Sequence, residues 1–421
     1  MPFFAKQGII YIQTLITCVD IKENKMADFK PLDALLQRFV DDGLPGCSCV
    51  VAKKGEILYE NYFGYSDVEN KVPLNERNVF RQASLTKVAE YTLGMMLYEK
   101  GLFLMTDPLY EYFPEWKNST KRITLPDGTT DIVPVDHPIT IKNIFNMTCG
   151  LPYQSMPGMP HKSETSSAME KAMEKFHGKY TLREQIAAMA EVPLAFEPGT
   201  RWLYGFASEL AAGLIEVVTG MRAEVALKKL LFEPLGMDSS ANFLFDDLED
   251  RLVKNYFITP GKKLGEEGAI YVKVEDRGPA MVGKLGTLSG FSRVITNCKD
   301  YTKLMQMLAN GGVYNGERFM GRKTIDLMRS NTITQKMIDE DFTNDYLAGY
   351  GYGFGVRTLL DKGKGNHNGS LGAFGWTGGS GTWAEADPSE GVSIVYMHNL
   401  QPNLELYHHI RMRNVAYGCL D

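Results

Sequence analysis

The sequence predicts an α+β fold: an antiparallel five-stranded core sheet flanked by helices, with a mostly helical domain inserted into it. Three observations predict it. Two strand-like runs meet at a Lys-Lys-Gly turn before residue 70, and three more strand-like segments follow residue 350. Between them lies a long stretch of helical periodicity broken by polar and glycine-rich connections. The early and late strands share one sheet only if the chain returns. The expected organisation is therefore an N-terminal extension (1–28), a discontinuous α/β domain (29–110 and 290–421) and an inserted mostly helical domain (111–289).

Each element has its local reason. "LDALLQRFVDDG" (32–43) is an amphipathic helix that stops at a glycine, and "GCSCVVAKKGEILYENYFGYSD" (46–67) is a β-hairpin. From Leu85 the apolar residues Val88, Ala89, Leu93, Met96 and Leu97 fall at helical spacing, and Gly101 sits where that helix ends. Between Lys87 and Glu99 its only charged residue is Glu90, so the helix is expected to be buried on most sides. In the middle, Thr181 with Glu184 forms a capping box, and Asn297 with Asp300 starts another helix. Segments 351–359, 373–388 and 391–399 read as the three late strands. A final helix is expected over "NLELYHHIRMRNVAYG", with His408 and His409 on its surface.

Composition excludes several classes of function. The chain has 421 residues, 44% hydrophobic and 23% charged, with a formal net charge of -6 and no basic or acidic tail, so nucleic acid is not an expected partner. Its six cysteines have no metal-ligand spacing and read as reduced thiols of a cytoplasmic protein. A short apolar run near the N-terminus has one early lysine and no clear cleavage site. It reads as an extension, with an export signal as the alternative. No segment is long and apolar enough to span a bilayer. The seven histidines are scattered, so no metal and no cofactor is expected. "GKLGTLSG" (283–290) matches neither a phosphate loop nor a dinucleotide fingerprint and reads as a loop bordering a cavity. There is no Gly-x-Ser-x-Gly nucleophile elbow.

What remains is a serine and a lysine one helical turn apart, Ser84 and Lys87. A neutral amine there would take the serine proton. Free lysine titrates at about 10.4, so burial or neighbouring charge is expected to lower it. The helix N-terminus offers backbone N–H groups to an oxyanion. Two other segments fit the same chemistry. In "FEPGTRWLYGFASEL" a Pro-Gly turn presents Tyr204, a phenol able to share a general-base role beside an ammonium. In "FGWTGGSGT" (374–382) a strand breaks into glycines that let a substrate approach and leave N–H groups free. Singly, each has a plain structural reading: a helix cap, a packed aromatic, a bulge at a sheet edge.

Together and in this order they resemble the serine β-lactamase / penicillin-binding-protein-like superfamily, in the branch of class C β-lactamases, family VIII carboxylesterases, D-aminopeptidases and lovastatin-type acyltransferases. "ASLTK" resembles the nucleophile motif, "IKNIFNMTCGLPY" (141–153) the "LLTHTSGL" segment, and "FEPGTRWLYG" the turn before the catalytic tyrosine. "LFEPLGM" (231–237) and "MLANGGVYNGERFM" (307–320) are further resemblances. The likeness runs from about residue 30 to the end and implies a β-lactamase-like fold. It also implies Ser84 as acylated nucleophile, Lys87 as its base partner and Tyr204 as proton shuttle. Backbone N–H groups of Ser84 and Gly379 would form the oxyanion hole, and Phe206, Trp376, Thr377 and Gly378 would bind substrate. Which of Lys87 and Tyr204 is the primary base stays open.

Two positions depart from the pattern. Phe206 stands where asparagine commonly follows the tyrosine, and Trp376 heads the motif that usually reads Lys-Thr-Gly or His-Thr-Gly. Tryptophan supplies no charge for a substrate carboxylate. The expected activity is a serine hydrolase or acyltransferase acting on a small-molecule ester or acyl substrate. The alternatives are a β-lactamase or D-amino-acid peptidase with the same machinery, and an idle sensor of peptidoglycan fragments.

Overall fold

The computed structural model describes residues 27–153, 163–177, 180–242, 246–272 and 293–420. Most of the N-terminal extension with its apolar run, and the glycine-rich 283–290 segment, lie outside the described residues.

The chain does return. Strands β1 (Gly46–Lys53), β2 (Glu56–Asp67) and β3 (Val72–Pro73) join β4 (Tyr350–Tyr352), β5 (Arg357–Leu359), β6 (Phe374–Thr377), β7 (Trp383–Asp387) and β8 (Val392–Met397) in one eight-stranded sheet. Its order is β4-β5-β6-β7-β8-β1-β2-β3 and every neighbouring pair is antiparallel. The seam between early and late chain is the β1–β8 ladder, which runs from Ser48 opposite Met397 to Lys53 opposite Val392.

The expected five strands become eight because two segments read as single strands are hairpins, and β3 adds a short edge. Segment 351–359 folds back where Gly355 takes φ 77° and the Gly353 amide donates to the Val356 carbonyl. Segment 373–388 folds back between β6 and β7 through the glycines expected to break it.

Helices cover both faces. On one, α1 (Lys30–Asp41) and the last helix (Glu405–Gly418) bury Leu32, Leu36, Phe39 and Met412 against Cys47, Cys49, Val51, Ile394 and Tyr396. The period of two along β1 sends Cys47, Cys49 and Val51 to this layer and Val50 to the other. On the other face lie α2 (Thr86–Glu99), α3 (Ala207–Thr219) and α4 (Cys298–Ala309), in a core cluster that extends into the helical stretch around residues 139–237. We number the last helix α5. The Thr181–Glu184 capping box forms, and the Asn297 side chain caps α4 by accepting from the Asp300 amide. Twelve residues of α2 are buried, Glu90 among them.

Among the described residues no helix is long and apolar enough to cross a membrane. The described cysteines are unbridged and buried. His408 and His409 correct the surface reading: both are buried, at 1% and 4% exposure, because they lie on the side of α5 that packs inward, where His409 meets the turn between β6 and β7 and His408 meets Phe39 and His398.

Candidate active site

Ser84 is half-buried at the head of α2, in a short 3-10 turn of residues 83–85. The residue before it, Ala83, has φ 46°, a left-handed conformation costly for a non-glycine residue and a mark of a tightly constrained turn. That turn is clamped to the β6–β7 connection. Thr382 Oγ1 donates to the Gln82 carbonyl at 3.1 Å, and a Cβ on Gly378 would lie 2.3 Å from the same oxygen. The neighbouring Gly379 is exposed and its Cβ position faces open space. Its amide has no backbone acceptor among the described residues, as an oxyanion donor requires.

The tyrosine arrives by a second lacing. Residues 199–206 run against 147–152 through amides of Gly199, Leu203 and Phe206 donating to carbonyls of Thr148, Met147 and Leu151. A Cβ on Gly205 would lie 1.9 Å from the Leu151 carbonyl, so glycine is obligatory between Tyr204 and Phe206. Asp341 anchors the outer end by accepting from Arg201 Nε at 2.9 Å and the Trp202 amide at 3.0 Å.

Lys87 is fully buried. Its Nζ donates to Tyr153 Oη at 2.9 Å and lies 5.0 Å from the ring centroid of Tyr204. The expected lowering of its pKa does not occur. Burial works against the charge, but the oxygens of Tyr153 and Tyr204, with the Glu209 carboxylate, outweigh burial and Arg293, and the net direction is upward. Burial likewise pushes the Tyr153 phenol up, against the pull of Lys87.

Trp376 is 1% exposed. Its indole Nε1 donates to Tyr204 Oη at 3.0 Å, with the two rings 5.4 Å apart. Tyr352 packs edge-on against Trp376, Trp202 edge-on against Phe342, and Phe206 edge-on against Tyr153. The site is thus walled by aromatic rings. Thr377, the next residue on β6, points to the opposite face, where its hydroxyl meets the Thr382 carbonyl, Glu405 and His409. Period two sends it there, so its side chain is committed to α5 rather than to substrate.

Beneath Lys87, Glu209 of α3 is ion-paired to Arg293 and accepts from Ser208 Oγ at 2.8 Å. Among the described residues no group of three or more histidine, cysteine or acidic side chains is placed to hold a metal.

The structure thus brings Ser84, Lys87, Tyr204, Gly379, Gly378, Trp376 and Phe206 to one place and turns Thr377 away. Sequence reasoning gave Tyr153 no role. Its signal was present as the last letter of "IKNIFNMTCGLPY", but the partner that gives it meaning is 66 positions away.

The chain is also similar to proteins already known. The profile of the family described as Beta-lactamase matches residues 32–417. The chain is 24% identical to Protein Rv1367c of Mycobacterium tuberculosis (strain ATCC 25618 / H37Rv), over 89% of this chain and 90% of the relative. It is 30% identical to Esterase EstB of Burkholderia gladioli over 49% of each chain. Among solved structures, simvastatin synthase (LovD) from Aspergillus terreus superposes with a TM-score of 0.76 over 93% of this chain and 98% of that one, at 19% identity.

Proposed function

This chain belongs to the β-lactamase family, and from that premise we propose that it is a serine hydrolase that acts on small neutral esters through an acyl-enzyme. The observation that carries the reading is the setting of the Tyr204 phenol, between the Lys87 ammonium and the Trp376 indole N–H. A cation and a hydrogen-bond donor beside that oxygen stabilise charge that develops on it in the transition state. This makes Tyr204 the proton carrier and Lys87 its electrostatic support.

In the forward step Ser84 Oγ attacks the ester carbonyl carbon and its proton passes to Tyr204. The carbonyl oxygen gains negative charge facing the amides of Ser84 and Gly379. The C–O bond to the alcohol then breaks, and the leaving alkoxide takes the proton back from Tyr204. Water or a second alcohol repeats the sequence in reverse, delivering a carboxylic acid or a new ester and freeing Ser84.

Ester rather than β-lactam preference follows from Trp376. A buried carboxylate without a cationic partner is strongly disfavoured, and β6 offers an indole at that place. EstB and a lovastatin esterase of Penicillium rubens are esterases by name, which supports the same direction. The test is kcat/KM for a series of p-nitrophenyl esters and for a cephalosporin, with and without an alcohol acceptor, on wild type and Trp376→Lys. Wild type is expected to favour the esters, and the lysine to shift the ratio toward the cephalosporin. A wild-type preference for the cephalosporin, or a ratio unmoved by the lysine, overturns the assignment of substrate class.

A further inference from the structure

Glu405 opens α5, and the chain is strained to place it: Leu404, the residue before it, has φ 47°, a left-handed conformation costly for leucine. One carboxyl oxygen, Oε2, accepts from Thr377 Oγ1 at 3.3 Å and from Asn403 Nδ2 at 3.4 Å. Asn403 Nδ2 also donates to the Gly378 carbonyl at 3.2 Å, one residue before the exposed Gly379. The helix thus begins level with the glycine turn, and its first residue reaches round the end of β6. Thr377, turned from substrate, holds Glu405 in place. The other carboxyl oxygen, Oε1, has no partner among the described residues, and the half-buried side chain leaves it open.

Tyr346 stands between Glu405 and the proton carrier. It lies in a short 3-10 turn, residues 345–347, that packs on α5. Burial pushes its phenol up, and Glu405 and Tyr204 push further in the same direction, so it lies within electrostatic reach of both. Buried Arg357 backs the pair, donating to the Tyr346 carbonyl at 3.1 Å and drawing Glu405 toward its charged form against burial. Partly open groups therefore run from Tyr204 through Tyr346 and Glu405 to the Gly379 amide. Tyr204 hands its proton to the leaving alkoxide, so the alcohol part of the ester lies on this side.

We propose that Glu405 is a specificity-determining residue whose open oxygen accepts a hydrogen bond from a second hydroxyl on the leaving alcohol, so that the preferred substrates are esters of polyols. A carboxyl has about four acceptor positions, and the protein fills two of them. A plain alkyl alcohol would displace water from Oε1 and return no bond. A hydroxyl both donates and accepts, so it can meet the carboxyl in either protonation state. The bond broken is the one described above: Ser84 takes the acyl group, and the polyol leaves with the proton of Tyr204. This rests on the serine-hydrolase reading and names the alcohol for it.

The experiment measures kcat/KM for glycerol monoacetate and propyl acetate on the full chain, as wild type, Glu405→Leu and Glu405→Gln. Wild type should favour the glycerol ester by at least about tenfold, the size of a hydrogen bond to a charged group. Glu405→Leu removes the acceptor and should cut that preference at least about fivefold, while Glu405→Gln, whose amide oxygen still accepts, should cut it less. A merely structural Glu405 would lower both rates together with the melting temperature and leave the ratio where it was. A second measurement needs no variant. Acetyl-enzyme formed by wild type from p-nitrophenyl acetate is offered glycerol and n-propanol at equal concentration, and transfer to glycerol should prevail by at least about tenfold. A wild-type preference within twofold in both assays, or a ratio unmoved in Glu405→Leu, overturns the proposal while leaving the hydrolase reading intact. Wild type with no fluorophosphonate adduct on Ser84 and no turnover of any ester overturns both.

Discussion

The indole Nε1–H of Trp376 donates to the phenol oxygen of Tyr204 at 3.0 Å, joining β6 to the head of α3 across 172 positions of sequence. The residue that a sequence comparison reads as a lost cation is a neutral donor aimed at the proton carrier. Trp376→Phe keeps the ring and removes the donor. Hydrogen bonds to charged groups contribute about 1.5–3 kcal/mol, so kcat should fall about 10- to 150-fold with little change in KM. Steady-state kinetics on a p-nitrophenyl ester reads this. A drop confined to KM would mean that the indole binds substrate rather than supports Tyr204.

Ser84→Ala should lose at least about a thousandfold in turnover and the fluorophosphonate adduct with it, since the nucleophile has no substitute. Lys87→Ala should be nearly as damaging, and the double variant no worse than either, because the two act as one unit. Intact-mass spectrometry with single-turnover kinetics checks both.

Tyr153→Phe removes the one hydrogen-bond acceptor that Lys87 Nζ has among the described residues. At about 1.5–3 kcal/mol for a hydrogen bond to a charged group, kcat/KM should fall about 10- to 150-fold. Unchanged kinetics would reduce Tyr153 to a packing residue.

The protein should be labile to acid. Burial pushes His408 down to about 4 and His409 down to about 3, and it also drives His398 well below its usual value. Unfolded histidines take up protons below about 6.5, while these do not until their folded values are reached. Stability is therefore lost as pH falls from about 6.5 toward 4 and 3, at about 2 kcal/mol for each histidine by pH 5. His409 Nε2 lies 3.0 Å from the Gly381 carbonyl, in the turn that carries Gly379, so activity should fail along with the fold. Melting temperature and esterase rate at pH 7.5, 6 and 5 test this.

Gly381→Ala should be severely destabilising. Gly381 has φ 109°, and a Cβ there would lie 1.8 Å from His398 Nε2. Strain and clash together should cost about 3 kcal/mol or more, measurable by urea denaturation.

Much of this was legible in the chain itself. Periodicity fixed the helix carrying Lys87 and the final helix to within two or three residues, because alternation between apolar and polar neighbours is a local property. The Ser84–Lys87 spacing, the Pro-Gly turn before Tyr204 and the glycines after Trp376 were equally local, and they sufficed to bring out the family and to single out the residues proposed as catalytic. The strand count was not. The glycines within segments 351–359 and 373–388 fit a bulge as well as a turn, and only the pairing of each segment with itself and its neighbours reveals the hairpin.

The tertiary structure alone decided the electrical state of the site. Sequence located Lys87 in an apolar helix and from burial alone implied a lowered pKa. The structure surrounds it with Tyr153 and Tyr204, from segments more than 60 residues downstream, and the sign of the shift reverses. The same holds for His408 and His409, whose polar sequence neighbours suggested solvent while the packing of α5 buried them. Helical and strand patterns are set by contacts within a few residues. The free energy of a buried charge is set by whichever groups the fold gathers within a few ångströms, and distance along the chain carries no record of that.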